Sequence, residues 1–332
     1  MIARPASSSL LSLMFAVTLM LSAAAGAAAG DGQAPARVAE VDDATIERLR
    51  ALHYREEEQV RLVLLPAVVT DRRNRPVRGL GPADFRLSED HIPQEIHYFG
   101  TERDVPVSVA FLLDVSGSMR QVGKLDEAKE AIRVFLDALN PADRFGLICF
   151  ADDQVAWVTD FTSDRALFLR RLRVQEAYGQ TALFDALAAT PSLVDDRIGG
   201  RKAIVLITDG IDNASQLNVF EAVRLARSVN VPIYAVGLAS FASSLLPDGS
   251  LPETHRVVQR FSEETGGALF TVHDPDDLKE AVIEIQDELR FQYLIGYRPS
   301  RTLWDGAFRR VRLETVKDGL RVRTRTGYYA DP

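Results

Sequence analysis

Short apolar runs alternating with helical patterns fill the middle of the chain. The runs are Val107 to Leu113, Phe145 to Phe150, Ala203 to Ile207, Val231 to Gly237 and Ala268 to Val272. Near-continuous apolarity is what strands buried on both faces need, and the helices between them supply the right-handed crossovers of a parallel sheet. From Lys124 to Leu139, residues Leu125, Ala128, Ile132, Phe135, Leu136 and Leu139 share one helical face, which Asn140-Pro141 ends. A last helix opens with Asp274 as cap and Pro275 at its first position, then buries Leu278, Ala281, Val282, Ile285 and Leu289. Val155 to Thr159 reads as a short antiparallel edge strand. Residues 103–289 are therefore predicted to form an α/β domain, a doubly wound, mostly parallel sheet flanked by helices.

On both sides of this segment the period changes to two. Before it come Gln59 to Thr70, with an edge or bulge at Pro66, then Asp84 to Ser88 and Gln94 to Phe99. After it come Phe291 to Arg298, Phe308 to Val316 and Leu320 to Tyr328. Neither set can bury a core alone, but together they make about seven strands, enough for a sandwich. The expectation is a small β-sandwich built from residues 58–102 and 290–332, with the α/β domain inserted in it.

The amino terminus has another pattern. Arg4 is its only charge before an apolar stretch from Leu10 to Leu21, followed by alanines and glycines through Gly30. Residues 1–29 are thus predicted to be a signal peptide ending at Ala25 or Ala29, with a polar linker over residues 30–57. The protein is then exported, periplasmic or secreted to the cell surface. Uncleaved, Leu10 to Ala29 would instead anchor it in a membrane.

Composition narrows the function. Of 332 residues, 46% are hydrophobic and 26% charged, as in a globular protein, and a net charge of −8 argues against a nucleic-acid partner. The single cysteine, Cys149, excludes an intramolecular disulfide and paired-thiolate metal clusters, and its apolar setting predicts a small buried hydrophobe. Residues 290–332 are basic, with ten Lys plus Arg against four Asp plus Glu. Arg321, Arg323 and Arg325 alternate onto one face, as do Arg310 and Arg312, which leaves open a structural scaffold or an anionic-polymer binder.

In an open parallel sheet, ligands bind beyond the carboxyl ends of the strands. The first central strand runs into Asp114-Val115-Ser116-Gly117-Ser118, and Ile204 to Thr208 runs into Asp209-Gly210. Thr181 lies between them at the start of a helix, as a predicted cap residue with its hydroxyl at the same mouth. Asp114, Ser116, Ser118, Thr181 and Asp209 form a set of hard oxygen ligands without histidine or thiolate, which fits Mg²⁺, or Mn²⁺, rather than zinc or copper. Water would complete the shell, leaving the ion electrophilic toward an Asp or Glu carboxylate of a partner protein. Asp152, Asp153, Asp185 and Asp212, also near the mouth, read as solvated or capping residues.

This arrangement, Asp114-x-Ser116-x-Ser118 with Thr181 and Thr208-Asp209-Gly210, resembles the metal-ion-dependent adhesion site of von Willebrand factor type A domains over residues 107–289. The flanks, at Val69 to Asp71, Pro76 to Leu80, Asp84 to Asp90 and Gln292 to Pro299, resemble the secreted bacterial group related to that family. The resemblance implies a non-enzymatic, metal-dependent contact with a protein. It also implies that Ser116, Ser118 and Thr181 touch the ion directly, while Asp114 and Asp209 act partly through water. Gln180 stands where many members have glycine.

An enzyme would need more. None of His53, His91, His97 or His255 falls in the segments predicted to build the mouth, and His273 would have to swing toward it. There is no Gly-x-Ser-x-Gly elbow, no His-Glu-x-x-His and no phosphate-cradling Gly-x-x-x-x-Gly-Lys. A metal-dependent hydrolase would use the same ion to activate water but lacks a placed general base.

Overall fold

Alternating residues ahead of the α/β segment form four strands: β1 (Val63–Thr70), β2 (Phe85–Glu89), β3 (Ile92–Gln94) and β4 (Ile96–Arg103). The computed structural model describes residues 61–103, 105–121, 123–237 and 253–330. The predicted signal peptide and linker lie outside the described residues.

The middle of the chain forms β5 (Val107–Asp114), α1 (Lys124–Ala138), β6 (Arg144–Ala151), β7 (Gln154–Thr162), α2 (Arg165–Arg173) and α3 (Leu183–Asp195). It continues through β8 (Arg201–Thr208), α4 (Val219–Ala226), β9 (Ile233–Gly237), α5 (Glu253–Thr265), β10 (Leu269–Thr271) and α6 (Pro275–Arg290). The sheet order is β10-β9-β8-β5-β6-β7. Every pairing is parallel except β6 with β7 at the edge.

All eight residues of the central strand β5 are buried, which is why its sequence shows no polar alternation. Val109, Phe111 and Leu113 pack on one side with residues of α1, α2 and α6, such as Phe135, Phe168 and Ile285. Ala110 and Leu112 pack on the other with Leu187, Val223 and Phe261 of α3, α4 and α5. This is the predicted doubly wound α/β architecture. The edge strand β7 reaches nine residues, longer than its apolar stretch indicated, because β6 continues to pair with it across two register shifts.

After α6 come β11 (Phe291–Tyr297), β12 (Phe308–Thr315), β13 (Arg321–Arg323) and β14 (Gly327–Tyr329). They interleave with the early strands in two four-stranded sheets, β13-β1-β11-β4 and β14-β12-β2-β3. The sheets share one core, in which Leu65 and Val69 of β1 and Phe85 and Leu87 of β2 meet Tyr293 and Ile295 of β11 and Val311 and Leu313 of β12. Pro66 pairs with Leu294 of β11, while the β1–β13 ladder begins only at Val68, so the missing N–H removes no ladder bond on that side.

Two expected strands each divide in the structure. Leu320 to Tyr328 becomes β13 and β14 in different sheets, because Thr324 hydrogen-bonds the Pro66 carbonyl while the Thr326 carbonyl accepts from Val311 of the opposite sheet. Gln94 to Phe99 becomes the end of the β2–β3 hairpin and the start of β4, after Asp90 and His91 turn the chain with positive φ.

Candidate functional site

The register of the central strands brings the candidate loops together. Leu113 of β5 lies opposite Ile207 of β8, so Asp114 and Thr208 leave the sheet at the same level. Asp114 is fully buried; its Oδ1 accepts from the Ser116 amide at 2.9 Å and its Oδ2 from the Thr208 hydroxyl at 2.7 Å. The chain then winds into a 3-10 turn, Gly117–Arg120, which sets the Ser116 and Ser118 hydroxyl oxygens 3.0 Å apart.

The loop carrying Thr181 packs against this turn through the backbone. The Gly117 amide donates to the Gly179 carbonyl at 3.0 Å, and a Cβ at residue 117 would stand 2.7 Å from that oxygen. Only glycine permits the approach. Gly179 has φ +68°, and the Asp152 carboxylate fills the space beside it, accepting from the Gln180 amide at 2.7 Å. Thr181 is buried, with its amide donating to Asn213 Oδ1 at 2.9 Å and its carbonyl accepting from Asn213 and Ala214.

The cap assignment needs correction here. Ala182, not Thr181, flanks α3, and the helix amides of Leu183 and Phe184 are satisfied by Asp212 Oδ1 at 2.8 Å and Ser215 Oγ at 3.0 Å. A local pattern pointed to the nearest hydroxyl, whereas the fold brings in a loop about thirty positions away. Asp185 likewise holds the amides of Gln216 and Leu217. Asp152, Asp185 and Asp212 therefore brace the loops.

Electrostatics single out Asp114. Burial pushes its pKa up to about 6, against the lowering effect of its hydrogen bonds, and the nearby Asp209 charge raises it further. The groups acting on it are neutral donors and a second carboxylate. Asp209 itself is buried and has a counter-charge: Lys124 Nζ, at the first position of α1, lies 3.0 Å from its Oδ2. His255 of α5 is also buried, and its imidazole pKa is lowered by burial while the Asp209 charge opposes that shift.

Neither Lys124 nor His255 was a sequence candidate. Lys124 was legible only as a helix-opening residue, and His255 carries no local signal, since only the packing of α5 brings it near β8. Cys149 is buried and desolvation pushes its thiol up to about 12, the state of an inert core residue. Among the described residues, no group of three or more His, Cys, Asp or Glu converges in a way that could hold a metal. Metal binding here would have to use the mixed carboxylate and hydroxyl set.

Comparison with known proteins identifies the class. Residues 109–211 match the family model of the von Willebrand factor type A domain, and the chain carries a domain of this type. Such domains commonly mediate protein–protein interaction or adhesion. An uncharacterized protein of Borreliella burgdorferi is 27% identical over 193 residues, covering 52% of this chain and 56% of that protein. Human inter-alpha-trypsin inhibitor heavy chain H4 is 26% identical over 208 residues, covering 58% of this chain and 21% of that protein. Among solved structures, the von Willebrand factor type A protein from Catenulispora acidiphila aligns with a TM-score of 0.47 at 17% identity, over 72% of this chain and 71% of its own.

Proposed function

We propose that the protein is an exported binding module whose adhesion site holds Mg²⁺, or Mn²⁺, through Asp114, Ser116, Ser118, Thr181 and Asp209, and bridges it to an Asp or Glu carboxylate of a partner protein. The observation that carries this reading is the state of Asp114: a buried carboxylate, beside a second carboxylate, whose own hydrogen-bond partners are all neutral. Keeping that carboxylate charged is costly without a counter-ion, and a bound cation would offset the cost. The donors around it are carboxylate and hydroxyl oxygens, which suit a hard divalent cation.

When bound, the ion supplies an electrophilic centre for the incoming acid. The chain's own residues do the positioning. The 3-10 turn holds Ser116 and Ser118 side by side, the Gly117–Gly179 contact fixes the distance to the Thr181 loop, and the Thr208 hydroxyl orients Asp114. In this reading the output is binding, with no turnover. Export follows from the Arg4 to Gly30 pattern, and the chain recovered outside the cytoplasm should begin near Gly30.

The test is calorimetric titration of Mn²⁺ and Mg²⁺ into the purified protein, with capture of proteins from the envelope fraction in Mg²⁺ and in chelator. One saturable divalent site, lost in Asp114→Ala with the circular dichroism spectrum retained, is expected. A partner captured equally well in chelator would contradict the bridging mechanism.

A further inference from the structure

The opposite edge of the parallel sheet also carries a cleft. It encloses about 260 Å³ and lies where the chain enters β8 and β9, against the sandwich strands β1 and β11. The amino ends of the parallel strands face it, whereas Asp114 and Asp209 lie at their carboxyl ends. Eight-residue strands at about 3.3 Å per residue put the two places roughly 25 Å apart.

Two kinds of surface line the cleft. One is cationic: Arg201, Lys202, Arg323 and Arg325 all contribute, and among the described residues no Asp or Glu does. The other is apolar, including Pro66, Val68, Pro232 and Leu294. Most of the cations already have partners. Lys202 pairs with Asp195 at 2.5 Å, Arg323 pairs with the buried Glu288, and Arg201 Nη1 donates to the Leu289 carbonyl at 2.7 Å.

Arg325 differs. Its Nη2 donates to the Leu64 carbonyl at 3.0 Å and its guanidinium lies 5.7 Å from the Tyr328 ring centroid, but it forms no ion pair with a carboxylate among the described residues. Burial lowers its pKa, and the acidic groups that act on it are the phenols of Tyr297 and Tyr328 rather than any carboxylate. A partly buried guanidinium without a carboxylate partner lacks a counter-charge, and its planar fork matches a carboxylate or phosphate.

We propose that this cleft is a binding site for a small organic anion, whose oxyanion head meets Arg325 and whose short apolar body lies against Pro66, Val68, Pro232 and Leu294. A cationic end beside an apolar wall calls for an amphiphile, and the volume limits it to a small molecule. The site is separate from the adhesion loops and does not depend on the metal.

The test uses the full chain in chelator, which silences the divalent site, with calorimetric titration of octanoate below its micellar range, of inorganic phosphate as a head group alone, and of octanol as a body alone. Octanoate is expected to bind with one-to-one stoichiometry at least tenfold more tightly than either fragment. Arg325→Gln should weaken octanoate at least tenfold. Asn230→Trp, an exposed change at the rim that leaves every cleft cation in place, should block binding without altering the thermal midpoint. No heat from octanoate up to 5 mM, on the order of 3 kcal/mol of binding free energy, would overturn the proposal. So would equal binding in both variants, or a response confined to long polyanions.

Discussion

Lys124 Nζ and Asp209 Oδ2 stand 3.0 Å apart, both largely shielded from water, so one of the two carboxylates of the candidate site already faces a cation supplied by the protein. A divalent ion arriving at the site meets this ammonium as a repelling neighbour. Lys124→Met is therefore expected to strengthen Mn²⁺ binding by about tenfold, or ~1.4 kcal/mol. The same change should lower the thermal midpoint in chelator, because it leaves Asp209 buried without its partner. Calorimetry on the variant checks both effects, and unchanged or weaker Mn²⁺ affinity would show that Lys124 does not oppose the ion.

The Gly117–Gly179 contact is expected to control the site through spacing alone. In Gly117→Ala the new methyl group would sit 2.7 Å from the Gly179 carbonyl, and the Thr181 loop must retreat. Overpacking of this kind typically costs about 1–3 kcal/mol. Mn²⁺ affinity should fall at least tenfold while the protein remains folded by circular dichroism. Full affinity in this variant would mean that Thr181 does not belong to the ligand set.

Asp212 should act on stability. It caps the first amides of α3 from a distant loop, so Asp212→Ala is expected to cost about 1 kcal/mol in urea unfolding. Asp212→Asn, which retains an acceptor oxygen, should recover most of it.

The sandwich contains a buried ionic network that invites a double-mutant cycle. Arg309 is fully buried, with Nη1 3.5 Å from Glu89 Oε1, and Glu89 Oε2 accepts from Tyr297 at 2.6 Å and Tyr328 at 2.8 Å. Arg309→Met strands the carboxylate and should cost about 3–5 kcal/mol. Adding Glu89→Gln should return a measurable part of that loss, a coupling that strictly additive effects would contradict.

Cys149 gives a prediction with a pH sign. The thiolate is the reactive form, and a thiol at about 12 instead of its ordinary 9.0 exposes far less of it at neutral pH. Alkylation of the native protein by iodoacetamide at pH 8 should be at least a hundredfold slower than in urea. It should then accelerate about tenfold per pH unit as the thiolate fraction rises. Rapid labelling at pH 7 would contradict this burial.

The sequence was most informative where burial is complete. β5 and β8 have no solvent-facing side in their apolar portions, so unbroken apolarity marked them, and it also placed Asp114 and Asp209 at the carboxyl ends of adjacent strands. The α6 cap was equally legible, because Asp274 holds the amides of Asp276 and Asp277, two and three positions on. What escaped was set by long-range pairing. Alternation runs unbroken from Leu320 to Tyr328, and only the contacts of Thr324 and Thr326 with different sheets divide it. Thr181 satisfied a local capping rule that Asp212 and Ser215 fulfil instead. Lys124 reaches Asp209 across 85 positions, a relationship that no spacing rule contains. Arg309 shares a strand face with Val311 and Leu313, opposite the exposed Arg310 and Arg312, so alternation turned it inward, but its partner Glu89 lies 220 positions away, beyond any spacing rule.

The antiparallel pairing of β4 with β11, which sets Phe291 opposite Arg103, has a mechanical consequence. The two strands adjoin the α/β layer at the same end of their ladder. Tension applied between the α/β domain and the sandwich would load that end first, opening the hydrogen bonds in succession like a zipper. Resistance to pulling would be limited by a bond or two at a time, so this seam would serve as a mechanical fuse between the two domains.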